Sequence, residues 1–295
     1  MQIIENLASG NIKTIAKTLS MVENQLSGAA ELLLQLSFSK NIPIIGITGP
    51  PGAGKSSLVN SCIAHLLVEN KKIAVLAVDP SSPFNYGSLL GDRIRMQSHF
   101  NNPNVFIRSV ASRGHLGGLS SRIYEMCDVL RNCNFDYIFI ETVGVGQSEV
   151  EIAGIADITI VVLVPESGDE IQAMKSGVME IADIFAINKS DREGANKFTQ
   201  TLKKLLHHQS KDAEIVQTIA IKNEGTKKLF AAIQKKHIAQ QINEQKAHLL
   251  ANRAWQLMAS NLMKKYNYLD LLEEIKIAQT KQNFNLYRFI KNKLT

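Results

Sequence analysis

Residues 42–56 read IPIIGITGPPGAGKS. The first seven, Ile42–Thr48, form a short apolar run rich in β-branched residues, which marks a buried strand. The next eight, Gly49-Pro50-Pro51-Gly52-Ala53-Gly54-Lys55-Ser56, fill the spacing GxxxxGK[ST] completely. An amphipathic stretch, Ser57–Glu69, follows. The chemistry requires this order. Glycines let backbone N–H groups converge on a phosphate, and the positive end of the following helix reinforces them. Lys55 adds a point charge for the β- and γ-phosphates, and Ser56 offers a hydroxyl to Mg²⁺. Gly49 through Ser57 are therefore the candidate contacts to a nucleotide. A glycine-rich turn with no ligand would not need to sit between a strand and a helix.

Working outward, similar apolar runs recur at Lys72–Asp79, Asn104–Ser109, Phe135–Glu141, Asp157–Val164, Asp183–Asn188 and Glu214–Thr218. Helical patterns lie between most of them, at Leu119–Arg131, Ala195–His207 and Thr226–Lys235. Continuous apolar strands alternating with helices predict an α/β fold, a doubly wound and mostly parallel sheet covered on both faces. The ends read differently. Helical patterns at Ile12–Val22 and Leu26–Leu36 predict a helical N-terminal extension over 1–40. The nucleotide domain spans 41–237. From 238 to 295 there is no strand pattern and no proline, which predicts a helical C-terminal arm. There is no internal repeat.

Composition sets outer limits. With 295 residues, 45% hydrophobic and 20% charged, and only 7 Pro and 18 Gly, the chain is an ordinary globular one rather than a disordered or collagen-like one. No apolar run approaches the ~18–20 residues of a membrane span. The start, MQIIENLASGNIK, lacks a basic-then-apolar signal, and three cysteines without CxxC spacing indicate neither a disulfide framework nor a zinc ribbon. The expectation is a cytoplasmic protein. Residues 197–295 hold 18 of the 33 lysines and arginines but only 7 of the 27 acids. Those lysines lie among apolar residues at helical spacing without interleaved aromatics. They read as solvated helix faces rather than a nucleic-acid surface.

Two acids close apolar strands. Asp79 ends AVLAVD, and Glu141 ends DYIFIE, where carboxylates face the ligand crevice of a parallel sheet. Either can hold Mg²⁺, directly or through water, or orient an attacking water. Asn188-Lys189-Ser190-Asp191 closes another strand and fits NKxD. An aspartate carboxylate accepts two hydrogen bonds from guanine, from N1–H and the exocyclic amine, and adenine offers no such pair. GTP is favoured over ATP. Asn188 and Lys189 would tie this loop to the phosphate loop and cover the base. A further base contact is expected from the backbone near Ala220, in Gln217-Thr218-Ile219-Ala220-Ile221-Lys222, although no serine precedes that alanine.

With these residues placed, the chain resembles the MeaB/ArgK/MMAA family of P-loop GTPases. The resemblance rests on AVLAVDPSS with GSLLGDRIRM (74–96), FIRSVASRGHLGGLS (106–120), ETVGVGQSEVEIAGIAD (141–157) and VVLVPESGDEIQAMKSGVMEIADIFAINKSD (161–191). It implies a GTPase chaperone of an adenosylcobalamin-dependent acyl-CoA mutase of the methylmalonyl-CoA mutase type, slow alone, using GTP/GDP and Mg²⁺. It implies phosphate and metal roles for Lys55, Ser56, Asp79 and Glu141. Asp92, in a first switch segment, would move toward the nucleotide, and Pro165–Gly177 with Lys175 would be a switch that answers the partner. The C-terminal helices would form a homodimer. One departure is Pro83-Phe84-Asn85-Tyr86, where the family commonly shows a Thr-Arg-Thr-Gly-like stretch.

Other readings stand beside this one. Arg108, Arg113 or His115 could supply an internal arginine finger or its neighbour, or be structural. Cys62 and Cys127 read as buried, and Trp255 as packed at a helix interface. The seven histidines do not cluster at ligand spacing, which argues against a metal-delivery GTPase. The alternatives in other classes are a small-molecule kinase and a nucleotide-dependent interaction module that does not hydrolyse.

Overall fold

The computed structural model describes residues 2–38, 41–79, 96–111, 122–142, 152–168, 178–208 and 212–239. Within the C-terminal stretch it describes 251, 253–255, 257–259, 262–263, 265–279 and 284–294. Seven strands form one sheet: β1 (Ile44–Thr48), β2 (Ile73–Asp79), β3 (Val105–Ala111), β4 (Tyr137–Glu141), β5 (Ile158–Leu163), β6 (Ile184–Ile187) and β7 (Glu214–Gln217). Their order across the sheet is β3-β2-β4-β1-β5-β6-β7, and every pairing is parallel. All seven coincide with the apolar runs read from the sequence.

Alternation of side chains along each strand divides the core in two. Ile45, Ile47, Phe139, Ile160 and Ala186 face α4 (Lys55–Val68) and a later helix, Thr226–Ala239, which contribute Leu58, Cys62, Leu229 and Phe230. Ile44, Ile138 and Ile140 face the opposite side. There they meet α1 (Gln2–Ala8), α2 (Ile12–Glu23), α3 (Ala29–Leu34) and α5 (Ile123–Arg131). Farther along that side, Val161, Phe185 and Ile187 pack on Phe198 and Leu202. Those two belong to α7 (Ala195–His208), which α6 (Val178–Ile181) precedes; the helix Thr226–Ala239 is α8. Gly46 lies mid-sheet because a Cβ there would come within 2.7 Å of the Ile152 side chain and 2.9 Å of the Ala156 Cβ.

Three strands are each preceded by an aspartate with a defined task. Asp136 accepts from the Lys72 N–H at 2.7 Å, Asp157 from the Ile44 N–H at 2.8 Å, and Asp183 from the Thr159 N–H at 2.8 Å. Each carboxylate thus satisfies a donor at the amino end of a neighbouring strand, where a buried orphan would cost about 1–3 kcal/mol. Asp157 also takes a 2.8 Å bond from Arg131 of α5. These three acids, at the amino edge of the sheet, are structural.

The N-terminal helices belong to the same compact unit as the sheet, Met1–Ile242. Asn11 caps α2 by accepting from the Thr14 N–H at 3.0 Å. Arg108 of β3 reaches into this layer and donates to Ala16 O (3.1 Å), Ser20 Oγ (3.1 Å) and Glu23 Oε2 (2.6 Å). The finger reading of Arg108 gives way here, because its guanidinium is committed to α2. Arg113 and His115 lie outside the described residues. A second compact unit, Asn243–Thr295, contains α9 (Tyr268–Gln279) and α10 (Leu286–Leu294), linked by a Lys293–Glu274 ion pair. Lys203 and Lys204 of α7 and Lys227 and Lys228 of α8 are exposed, while Leu202, Leu206, Leu229 and Phe230 are buried.

Candidate functional site

The loop after β1 is built by its glycines. Gly49 has φ 138, and a Cβ there would stand 2.2 Å from Val162 O of β5. Gly54 has φ 86, and a Cβ there would stand 2.4 Å from Asn188 Nδ2. Gly54 is also the residue that turns the chain into α4. The helix therefore starts at Lys55, two residues earlier than the amphipathic pattern suggested. Lys55 is buried, and its ammonium donates to Gly49 O at 2.9 Å and Pro50 O at 3.0 Å. A cation held inside a backbone loop at a helix N-terminus is the arrangement that receives polyphosphate. Pro50, Pro51 and Gly52 form the outer rim, Ala53 is buried, and Ser57 is half-buried on the first turn of α4.

Ser56, next to that lysine, donates from Oγ to Glu141 Oε1 at 2.6 Å, and both residues are buried. Register places Glu141 opposite Ile47 on β1 and Ala77 on β2, so Asp79 follows two residues later on the adjacent strand. A hydroxyl and a carboxylate are hard oxygen donors of the type Mg²⁺ takes. Among the described residues no group of three His, Cys, Asp or Glu could hold a metal ion alone. Mg²⁺ is commonly bound through one or two protein oxygens with phosphate and water completing its shell. Thr142, just past Glu141, donates to Thr48 Oγ1 at 2.9 Å and ties β4 to the end of β1.

The Asn188–Asp191 loop is fastened to the phosphate loop. Asn188 Nδ2 donates to Ala53 O at 2.9 Å, and Lys189 Nζ donates to Gly52 O at 2.8 Å. Lys189 itself has φ 54. On its other side, Asn188 Oδ1 accepts from the Ala220 N–H at 3.0 Å and from Thr218 Oγ1 at 3.3 Å. The Ala220 backbone donor, expected to meet the base, is thus held by Asn188. Asp191 forms an ion pair with Lys222 at 3.6 Å. Arg192 pairs with Glu166 in the 3₁₀ turn Pro165–Gly168, and its hydrogen bond holds the Glu166 carboxyl below the usual range.

Three predicted loci are thereby gathered at the carboxyl edge of the sheet: the phosphate loop, Glu141 and the Asn188–Asp191 loop. Asp92 and Lys175 lie outside the described residues, as does all of the proposed switch beyond Gly168. Burial pushes the Cys62 and Cys133 thiols up to about 12 and raises Cys127 as well, so none is a poised nucleophile. Lys222 and Arg192 carry contacts that the sequence reading did not assign. The available signal was their place, one and two residues beyond motif positions.

The chain matches, over residues 15–269, the family model of the methylmalonyl-CoA mutase-associated GTPase MeaB. The chain belongs to the MeaB family. A protein of Pyrococcus horikoshii named as a GTPase is 45% identical over 240 residues, spanning 79% of this chain and 76% of its own. The GTPase ArgK of Escherichia coli is 41% identical over 193 residues, 64% of this chain and 58% of ArgK. A fused isobutyryl-CoA mutase of Geobacillus kaustophilus is 35% identical over 250 residues, which cover 78% of this chain and 23% of that protein. Among solved structures, one titled LAO/AO transport system kinase superposes with a TM-score of 0.69 at 24% identity, covering 99% of this chain and 95% of that one. HypB from Helicobacter pylori, crystallised with nickel, reaches 0.54 at 15% identity, covering 78% and 98%. These two likenesses are of fold. As a MeaB-family member the chain is a GTPase of a family associated with methylmalonyl-CoA mutase. No helix among the described residues is long and apolar enough to cross a membrane.

Proposed function

We propose that this GTPase acts as a chaperone of an adenosylcobalamin-dependent acyl-CoA mutase of the methylmalonyl-CoA mutase type, coupling GTP hydrolysis to loading or protection of the mutase's cofactor. The observation that carries the nucleotide half is the joint between the two loops: Asn188 to Ala53 and Lys189 to Gly52. A base reader bonded to a phosphate cradle keeps base and phosphates at one fixed spacing. The mutase half is supported by the family's association and by the relative in which a similar stretch lies within a fused isobutyryl-CoA mutase.

In this reading, Gly49 to Ser57 wrap the phosphates, and Lys55 exchanges its carbonyl partners for β- and γ-phosphate oxygens. Asp191 reads guanine, with Asn188, Lys189 and Ala220 shaping its surroundings. Ser56, Glu141 and Asp79 would hold Mg²⁺, which supplies charge neutralisation along the phosphates. Glu141, released from Ser56, would accept a hydrogen bond from the attacking water. Rate enhancement comes from position and charge around the γ-phosphate. Asp92 and Lys175 would complete the site when the partner engages, so turnover alone is slow. The protein would act as a homodimer through its C-terminal helices.

Phosphate release from GTP and from ATP, with and without purified methylmalonyl-CoA mutase, tests this. Slow GTP-specific release that the mutase accelerates, and that Lys55→Ala abolishes while cooperative unfolding is retained, is the expected result. Equal use of ATP, or transfer of the phosphoryl group to a small-molecule acceptor, would overturn it.

A further inference from the structure

We infer that Lys222 sets how tightly this GTPase holds its nucleotide, by competing with the guanine base for the carboxylate of Asp191. The inference rests on Asp191 being the base reader. Lys222 Nζ stands 3.6 Å from Asp191 Oδ2, with the two side chains 52% and 39% exposed. This is ion-pair distance without a hydrogen bond, the kind of contact an incoming donor can displace. Guanine needs both carboxylate oxygens, one for N1–H and one for the exocyclic amine. The ammonium thus competes by charge for Oδ2, one of the two oxygens that the base needs.

The position of Lys222 is built rather than accidental. The turn that carries it is closed by Ile219 N–H to Glu224 O (3.0 Å) and by the return bond, Glu224 N–H to Ile219 O (3.3 Å). Asn223 takes φ 57, and Gly225 takes φ 79 at a point where a Cβ would meet Gln217 O at 2.2 Å. The two loops are joined again by Ser190 N–H to Thr218 O at 3.1 Å and by Ala220 N–H to Asn188 Oδ1 at 3.0 Å. With both backbones joined, the base of the Lys222 side chain is held within reach of Asp191. Exposed pairs of this kind are worth little, so the expected effect is roughly threefold in affinity rather than orders of magnitude.

The test is the equilibrium and dissociation rate of a ribose-labelled fluorescent GDP on the full chain, in four forms: wild type, Lys222→Gln, Asp191→Asn and the double variant. Lys222→Gln keeps length and polarity and removes only the charge. We expect it to bind GDP roughly threefold more tightly, through slower release, and to have no effect in the Asp191→Asn background. Unchanged or weaker binding by Lys222→Gln would overturn the inference, because it would make the ammonium a bystander or an attractor of the phosphates. Tightening of equal size in both backgrounds would also overturn it, since the action would then bypass Asp191. Asp191→Asn binding GDP as wild type does would instead remove the base-reading assignment itself, and that outcome is distinguishable from the others.

Discussion

At the scale of single residues, the second and third glycines of the phosphate loop make a natural contrast. Gly52 and Gly54 both have left-handed backbone, at φ 78 and 86. A Cβ on Gly52 meets nothing within 4 Å, whereas one on Gly54 stands 2.4 Å from Asn188 Nδ2. Gly52→Ala should therefore cost only the left-handed penalty, about 1–2 kcal/mol. Gly54→Ala should cost that and overpacking besides, a further ~1–3 kcal/mol. It should also push away the amide that binds Ala53 O, loosening the base loop and reducing GDP affinity at least tenfold. Chemical denaturation and nucleotide titration of the two variants check this. Equal stability and affinity in both would mean that Asn188 yields freely, and that the joint between the loops is not rigid.

Elements were legible in the sequence to different depths, for physical reasons. The central strands β1, β4, β5 and β6 were readable because they are buried on both faces, so their apolar runs are nearly continuous, and the half-buried edge strands β3 and β7 still kept β-branched runs. The phosphate and base loops were readable because chemistry fixes both residue type and spacing. Helix α1 was not, since seven residues present too few turns for a periodic pattern and only Leu7 is buried. Arg108 was ambiguous for a different reason. Its partners on α2 lie some 85 to 92 residues away in the chain, and no local pattern reports such a contact. With Glu23 only 9% and Arg108 18% exposed, Arg108→Ala would remove a poorly solvated ion pair from the layer between α2 and β3. The cost should be about 3 kcal/mol, near the lower end for a broken buried pair. A fall in the denaturation midpoint with GTP turnover per folded molecule unchanged is the expected outcome. Lost turnover at unchanged stability would return Arg108 to the role of a finger.

At the scale of the whole molecule, the chain divides its apolar surface unevenly. The unit 1–242 buries strands and helices around a filled sheet, while helix α9 of the unit 243–295 has no buried residue at all. Within that second unit Leu269 is 66% exposed, Tyr287 82% and Trp255 72%. Trp255 was expected at a helix interface, and in the single chain it is open to solvent. Large apolar side chains gathered in one small unit mark an association surface. The occupant we propose is a second copy of the chain, because a self-complementary two-fold contact covers both copies' patches at once. Charge opposes that contact, since the last 99 residues carry 18 basic groups against 7 acids, so apolar burial has to drive it. Leu269→Lys with Tyr287→Lys should leave the fold of each chain intact, because neither side chain is buried in it. The pair should convert a dimer to a monomer in size-exclusion light scattering. A dimer that survives both substitutions would place the interface elsewhere. A monomeric wild type would remove the C-terminal helices from assembly altogether and leave their exposed leucines for the mutase.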